Sequence, residues 1–100
     1  MEVNLNRDGE KLVIAVDGRI DTLTSPQLEE KISELDGVKD LIIDLKDVNY
    51  ISSAGLRVLI SMQYVMDDQG SLKIINVCKN VMDIFEATSL TDMFEIEKMD

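Results

Sequence analysis

The stretch Ile51-Ser52-Ser53-Ala54-Gly55-Leu56 joins an apolar run to the longest helical pattern in the chain. The run before it, Leu41-Ile42-Ile43-Asp44-Leu45, is typical of a β-strand covered by helices on at least one face. The pattern after it, from Leu56 to Asp68, places its apolar side chains on one face of a helix. Two hydroxyl side chains and two very small residues therefore lie where a strand ends and a helix begins.

The start of a helix favours serine for two different reasons. Its first N–H groups have no intrahelical partners and carry a partial positive charge, so they accept a hydroxyl cap or an anion such as phosphate. If Ser52 is the N-cap, its hydroxyl accepts a hydrogen bond from the N–H of Ala54 or Gly55. Ser53 is then the first helical residue, with its hydroxyl free. The spacing alone leaves open that both serines only cap the helix.

The segment Asp47-Val48-Asn49-Tyr50-Ile51-Ser52-Ser53-Ala54-Gly55-Leu56 resembles the signature of the STAS domain, in particular that of bacterial anti-sigma factor antagonists. Gly18-Arg19-Ile20-Asp21 is similar to the family's Gly-x-x-Asp turn, Leu41 to Leu45 to its central strand, and Asn80 to Phe85 to its late helix. The resemblance implies one STAS domain over residues 1–100. The implied fold is α/β, with a mixed β-sheet of four to five strands and helices packed mainly on one face.

The same resemblance implies a function. In that family, the serine that matches Ser53 is phosphorylated by a serine/threonine kinase that is also the anti-sigma factor. The unphosphorylated chain is expected to bind this kinase and release sigma factor, and a PP2C-type phosphatase is expected to reverse the phosphorylation. Ser52 stands where the best-known members often carry Asp. The predicted partner-binding residues are Asp21, Thr22, Ser52, Ser53, Ala54, Gly55 and Arg57.

Composition limits the classes of partner. One hundred residues, of which 45% are hydrophobic, fit a single globular domain. The net charge of −10 argues against nucleic acid, because phosphate backbones bind clustered Lys and Arg. The only cysteine, Cys78, excludes an intramolecular disulfide and favours the reducing cytoplasm. No apolar run approaches the ~20 residues that span a bilayer, so we expect no membrane partner.

The sequence does not predict an enzyme. It contains no histidine, which is the commonest general base and metal ligand. Without an activating base, the Ser53 hydroxyl is not predicted to be a catalytic nucleophile. Asp21, Asp44 and Asp47 could in principle hold Mg²⁺, but scattered aspartates are usual in so acidic a chain. We therefore predict no metal site and no cofactor.

The first part of the chain predicts a hairpin and a helix. Apolar residues alternate on both sides of Asp8-Gly9, which indicates two antiparallel strands. Ser25-Pro26 is predicted to be the N-cap and first residue of a helix that ends near Gly37.

The last part predicts a strand, a short helix and a closing strand. Leu72 to Ile75 follow the helix after Ser53, and a strand–helix–strand unit of this kind is parallel. Asn80 and Asp83 have the spacing of a capping box that opens a short helix. Leu90 to Ile96 predict a final turn and strand.

Two other functions stay open. The chain could be a STAS interaction module, such as a scaffold or a subunit of a transport complex, that is never phosphorylated. It could also bind a small nucleotide, using the same helix start for phosphate. The position of Asp21 is also compatible with the role of an ordinary solvated turn residue.

Overall fold

The computed structural model describes residues 1–99, so Asp100, the end of the predicted domain, lies outside the described residues. It shows a five-stranded sheet with the order β1-β2-β3-β4-β5. The strands are β1 (Glu2–Asp8), β2 (Lys11–Asp17), β3 (Asp40–Asp47), β4 (Ser71–Val77) and β5 (Glu95–Lys98). β1 is antiparallel to β2, and the other neighbouring strands are parallel. The predicted mixed sheet is confirmed.

Helical segments connect the parallel strands, as a parallel pair requires a crossover. In the described part of the chain they are α1 (Ser25–Glu29), a 3₁₀ helix (Glu30–Leu35), α2 (Ser53–Asp67) and α3 (Lys79–Ala87). α2 has almost the predicted bounds. Within residues 1–99, none of the helices has the length and apolar character needed to cross a membrane.

The hydrophobic core lies between one face of the sheet and the helices. Alternate residues of the inner strands are buried, and they belong to the same cluster as the apolar faces of α2 and α3. The buried residues of this cluster include Leu12, Ile14, Val16, Leu41, Ile43, Leu45, Leu72, Ile74, Leu56, Leu59, Met62, Val81 and Phe85. The intervening strand residues, such as Val13 and Ile42, are half-buried. The helices therefore pack mainly on one face, as predicted.

The hairpin between β1 and β2 agrees with its prediction. Asp8 pairs with Lys11 across the turn, and Gly9 has φ +61°, a conformation that glycine adopts without strain. β2 is bonded on its other side to β3, so it lies inside the sheet.

The observed helical segment differs in two respects from the helix predicted between Ser25 and Gly37. Its N-cap is Thr24 rather than Ser25, which is the first helical residue. The reason is a preceding turn that uses the Thr24 hydroxyl and extends to Ser25, whose N–H donates to the carbonyl oxygen of Asp21. After Glu29 the segment tightens into the 3₁₀ helix, a common way for a helix to end.

The capping box predicted for α3 is wrong. The N-cap is Cys78, which makes no side-chain capping bond, and Asn80 lies inside the first turn. Asp83 instead forms an ion pair with Lys79, with 3.1 Å between its Oδ2 and the lysine Nζ. α3 begins at Lys79, so Asn80 already lies within the helix and cannot serve as its N-cap.

Candidate functional site

Ser52 and Ser53 have different roles at the start of α2. Ser52 is the N-cap in extended backbone, and its Oγ accepts a hydrogen bond from the N–H of Gly55 over 3.3 Å. Ser53 is the first residue of α2, and its side chain is exposed. Because Ser52 makes the capping bond, the Ser53 hydroxyl is available at the surface. This is the arrangement expected if Ser52 is the N-cap, a point that the spacing alone left open.

The turn that contains Asp21 is closed by its own side chains. Asp21 Oδ1 accepts hydrogen bonds from the backbone N–H of Leu23 at 2.9 Å and of Thr24 at 3.1 Å. Thr24 Oγ1 accepts from the N–H of Asp21 at 2.8 Å and donates to the carbonyl oxygen of Arg19 at 2.6 Å. Aspartate commonly stabilises a turn in this way, by bonding to backbone two residues further on. The turn is therefore fixed in shape by local bonds.

These bonds also favour the ionised form of Asp21. The backbone N–H of Thr24 is the largest cause that lowers the pKa of the Asp21 carboxyl below its usual value, while partial burial opposes it. The N–H of Leu23, the Thr24 hydroxyl and the Arg19 guanidinium act in the same direction as the first cause. Arg19 Nε lies 3.4 Å from Asp21 Oδ2. The ionised form of Asp21, which is the usual form at neutral pH, is thereby stabilised further.

The Asp21 turn is bonded to the segment that precedes α2. Ile20 and Ile51 form an isolated parallel β-bridge. The N–H of Ile20 donates to the carbonyl oxygen of Tyr50 over 3.1 Å, and the N–H of Ser52 donates to that of Ile20 over 2.8 Å. Since the bridge is parallel, Asp21 and Ser52 are the next residues along the two segments. The structure thus brings together the two parts of the predicted site.

Gly55 allows α2 to approach this bridge closely. A Cβ atom at position 55 would lie 2.5 Å from Ile20 Cγ2 and 2.7 Å from Ile51 Cγ1, which is too close for packed atoms. Gly55 is buried. Its small size therefore serves packing inside the chain, which corrects the expectation that it lies on the surface that a partner contacts.

The other predicted partner-binding residues reach the surface. They are Asp21, Thr22, Ser52, Ser53, Ala54 and Arg57. Of these, Thr22, Ser53 and Arg57 are exposed. Arg57 follows Ser53 by four residues, so the two side chains lie one helical turn apart on the same face.

Four residues of this site had no predicted role. Arg19 stacks on Tyr50, with its guanidinium carbon 4.1 Å from the ring centroid, a cation–π contact that joins residues distant in sequence and leaves no sequence signal. The turn-stabilising role of Thr24 could have been found from its Asp-x-x-Thr spacing. Leu23 could have been noticed as an apolar residue in a polar turn, and its side chain is 89% exposed.

The three aspartates considered for Mg²⁺ do not form a metal centre in the described residues. Asp21 is engaged by its turn, and Asp44 accepts hydrogen bonds from the Lys46 N–H and the Asn76 side chain. Across residues 1–99, no group of three or more His, Cys, Asp or Glu side chains is placed to hold a metal ion.

The chain belongs to the STAS domain family, whose family model matches residues 2–99. Among its relatives, the anti-sigma-B factor antagonist of Bacillus subtilis (strain 168) is 33% identical over 98 residues. That alignment covers 96% of this chain and 90% of the relative. The resemblance to anti-sigma factor antagonists that the sequence motifs indicated is confirmed.

Solved structures share the fold. An anti-sigma factor antagonist from Mycobacterium paratuberculosis superposes with a TM-score of 0.86 at 23% identity, covering 96% of this chain and 84% of the other. The antagonist SpoIIAA in its unphosphorylated form gives a TM-score of 0.81 at 19% identity, covering 95% and 87%. Its phosphorylated form gives 0.73 at 18% identity, covering 95% and 90%.

Proposed function

We propose that the protein is an anti-sigma factor antagonist whose binding activity is switched by phosphorylation of Ser53. In its unphosphorylated form it binds an anti-sigma factor serine/threonine kinase, and sigma factor is released. The contact surface consists of the Asp21 turn with Thr22, the exposed start of α2, and Arg57. Membership of the STAS family and the similarity to an anti-sigma-B factor antagonist support this function.

One observation carries the proposal: the two adjacent serines are not equivalent. Ser52 uses its hydroxyl to cap α2, whereas Ser53 presents its hydroxyl at the surface. A kinase can therefore reach Ser53 without breaking the helix cap. SpoIIAA, which has the same fold, has been solved in unphosphorylated and phosphorylated forms.

The modification is a phosphoryl transfer in which this chain is the substrate. A bond forms between Ser53 Oγ and the γ-phosphorus of ATP, and the bond from that phosphorus to the β–γ bridging oxygen breaks, so ADP leaves. The hydroxyl proton passes to a base on the kinase. The kinase supplies ATP and Mg²⁺, so this chain needs no cofactor of its own. We place the reaction in the bacterial cytoplasm, where ATP is available.

The added group acts at the interface rather than on the fold. A phosphoserine carries about −1.5 to −2 charges at neutral pH. The start of a helix tolerates negative charge, because its free N–H groups carry a partial positive charge. A partner that packs directly on Ser53 and Ala54 would have to desolvate the phosphate, which is costly. Phosphorylation therefore abolishes binding while the domain stays folded.

A PP2C-type phosphatase completes the cycle. In the hydrolysis, the oxygen of water forms a bond to phosphorus and the bond from phosphorus to Ser53 Oγ breaks. A proton from the water ends on Ser53 Oγ, and inorganic phosphate leaves. The exposure of Ser53 that admits the kinase also admits the phosphatase. The free hydroxyl form then binds the kinase again.

The test is to incubate the purified chain with an anti-sigma factor serine/threonine kinase from the same organism, together with ATP and Mg²⁺, and to measure its mass. We expect one added phosphoryl group in the wild type and in Ser52→Ala, and none in Ser53→Ala. Binding of the kinase without any modification would contradict the switch and favour a constitutive interaction module. Nucleotide binding by the chain alone, with no affinity for the kinase, would favour the nucleotide-binding alternative.

A further inference from the structure

Leu23 is the most exposed large apolar side chain in the described part of the chain. It is 89% exposed, compared with 63% for Tyr64 and 37% for Leu5. Single exposed apolar residues are normal on protein surfaces, so exposure alone does not identify a contact. Leu23 differs from the others because it belongs to the turn that adjoins the switch serine.

The backbone that carries Leu23 is fixed by hydrogen bonds. The N–H of Leu23 donates to Asp21 Oδ1 at 2.9 Å, and the N–H of Ser25 donates to the carbonyl oxygen of Asp21 at 2.7 Å. Beyond the turn, Ser25 and Leu28 are buried and hold α1 against the core. A side chain presented by a rigid backbone loses little conformational freedom on binding. An apolar side chain held on such a backbone contributes to affinity when a partner removes it from water.

The same turn is held against the start of α2. The backbone bonds between Ile20, Tyr50 and Ser52 fix the two segments to each other. Leu23 lies three residues beyond Ile20, and Ser53 lies one residue beyond Ser52. A partner that covers Ser53 and the Asp21 turn therefore also covers Leu23.

The charges around Leu23 indicate what kind of surface it contacts. The whole chain has a net charge of −10, but each of the two segments of this surface carries an exposed arginine, Arg19 beside Asp21 on the turn and Arg57 on α2. Arg19 is 62% exposed although it also pairs with Asp21. A complementary surface has an apolar pocket for the leucine and acidic groups at its rim.

We propose that Leu23 is the apolar anchor of the interface with the anti-sigma factor kinase. Its side chain enters an apolar pocket on the kinase, while the flanking arginines face acidic groups at the edge of that pocket. This inference rests on the proposed function, because it takes the kinase as the partner. Leu23 contributes to the affinity, and the phosphorylation state of Ser53 determines whether the kinase binds to this surface.

The test measures affinity by calorimetry between the purified kinase, without ATP, and variants of the full chain. We expect Leu23→Ala to weaken binding by about tenfold to thirtyfold, as removal of an interface anchor does. Leu23→Met keeps nearly the same volume and should stay within about threefold of the wild type. The matched control is Leu5→Ala, which removes an exposed leucine of β1 and should change affinity by less than about twofold. The thermal midpoint of Leu23→Ala should equal that of the wild type.

The outcomes separate the two proposals. If the wild type binds, Ser53→Glu does not, and Leu23→Ala binds like the wild type, the anchor is refuted and the switch stands. An equal loss of affinity in Leu5→Ala would also refute the anchor, because the effect would not be specific to this turn. If the kinase does not bind the wild type at all, the proposed function fails, and the anchor fails with it.

Discussion

The backbone N–H of Ser52 donates a hydrogen bond to the carbonyl oxygen of Ile20 over 2.8 Å. This bond fixes the turn that contains Asp21 to the start of α2, where Ser53 lies. Two segments that are distant in the sequence thereby form one rigid surface before any partner binds. Such preorganisation reduces the conformational cost of association. In the proposed switch, phosphorylation therefore changes the charge of this surface but does not change its shape.

The first prediction concerns the packing of α2 against this bridge. Helix propensity alone would make Gly55→Ala stabilising by about 0.5–1 kcal/mol. The new Cβ, however, would lie 2.5 Å from Ile20 Cγ2, so we expect the variant to lose about 1–3 kcal/mol of unfolding free energy. Urea denaturation measures this change. Ser61→Ala, on the exposed side of the same helix, is the control and should stay within about 0.5 kcal/mol of the wild type. A stabilised Gly55→Ala would contradict the packing.

The second prediction separates the two serines by stability. Ser52→Ala removes the cap and should cost about 0.5–2 kcal/mol of unfolding free energy, whereas Ser53→Ala should change it by less than about 0.5 kcal/mol. Ser52→Asp keeps an acceptor and adds negative charge at the helix start, so it should be at least as stable as the wild type. Chemical denaturation of the three variants provides the measurement. Equal losses for both alanine variants would show that the serines share the cap.

The sequence was sufficient to predict those features that depend on local pattern. Alternating apolar residues predicted the strands, and the two serines before Leu56 predicted where α2 begins, while their spacing left open whether one or both cap it. The start of α1 was misplaced by one residue, because Thr24 and Asp21 bond within a turn whose spacing was not recognised.

Other features depend on contacts between segments that only the fold brings together. Gly55 packs inward against Ile20 and Ile51. Only the fold brings Ile20 next to Gly55, and the sequence alone therefore suggested that this small residue lies at the surface. The contact of Arg19 with the Tyr50 ring has the same origin. The capping box predicted from Asn80 and Asp83 is absent because α3 begins at Lys79, with Cys78 as its N-cap, which places Asn80 within the helix.

The third prediction concerns pH. Folding lowers the pKa of Asp21, chiefly through the Thr24 N–H, so its ionised form stabilises the folded state. This contribution is complete above the usual aspartate pKa and is lost as the pH falls through the lowered pKa of the folded chain. Asp21→Asn keeps an oxygen acceptor but has no charge. We therefore expect its deficit in unfolding free energy to be constant near neutral pH and to shrink in acid.

Urea denaturation of both proteins at several pH values tests this expectation. Asp67→Asn, at an exposed position at the end of α2, is the matched control for removal of one carboxylate. A deficit for Asp21→Asn that does not change with pH would show that the charge of Asp21 does not contribute to the turn.

The fourth prediction concerns the phosphorylated chain. A phosphate on Ser53 lies at the positive end of α2, an interaction worth about 0.3–1 kcal/mol. It also lies four residues before Arg57, and an ion pair at this spacing is worth about 0.2–0.5 kcal/mol. Phosphorylation should therefore raise the thermal midpoint slightly, and Arg57→Gln should remove part of that increase. Scanning calorimetry of the enzymatically phosphorylated forms measures both. Arg7→Gln, whose arginine bonds to the carbonyl oxygens of Gly9 and Asp36, should leave the increase intact. A lowered midpoint on phosphorylation would contradict the expected tolerance of α2.

The central claim is that one phosphate on Ser53 changes affinity without unfolding the domain. The most direct measurement is calorimetric titration of the purified kinase with the unphosphorylated chain and with the chain phosphorylated at Ser53, with circular dichroism of both forms. We predict identical spectra and an affinity that is lower by at least about a hundredfold in the phosphorylated form, as expected when an unpaired charge must be desolvated at an interface. Equal affinity of the two forms, or a loss of affinity that accompanies unfolding, would contradict it.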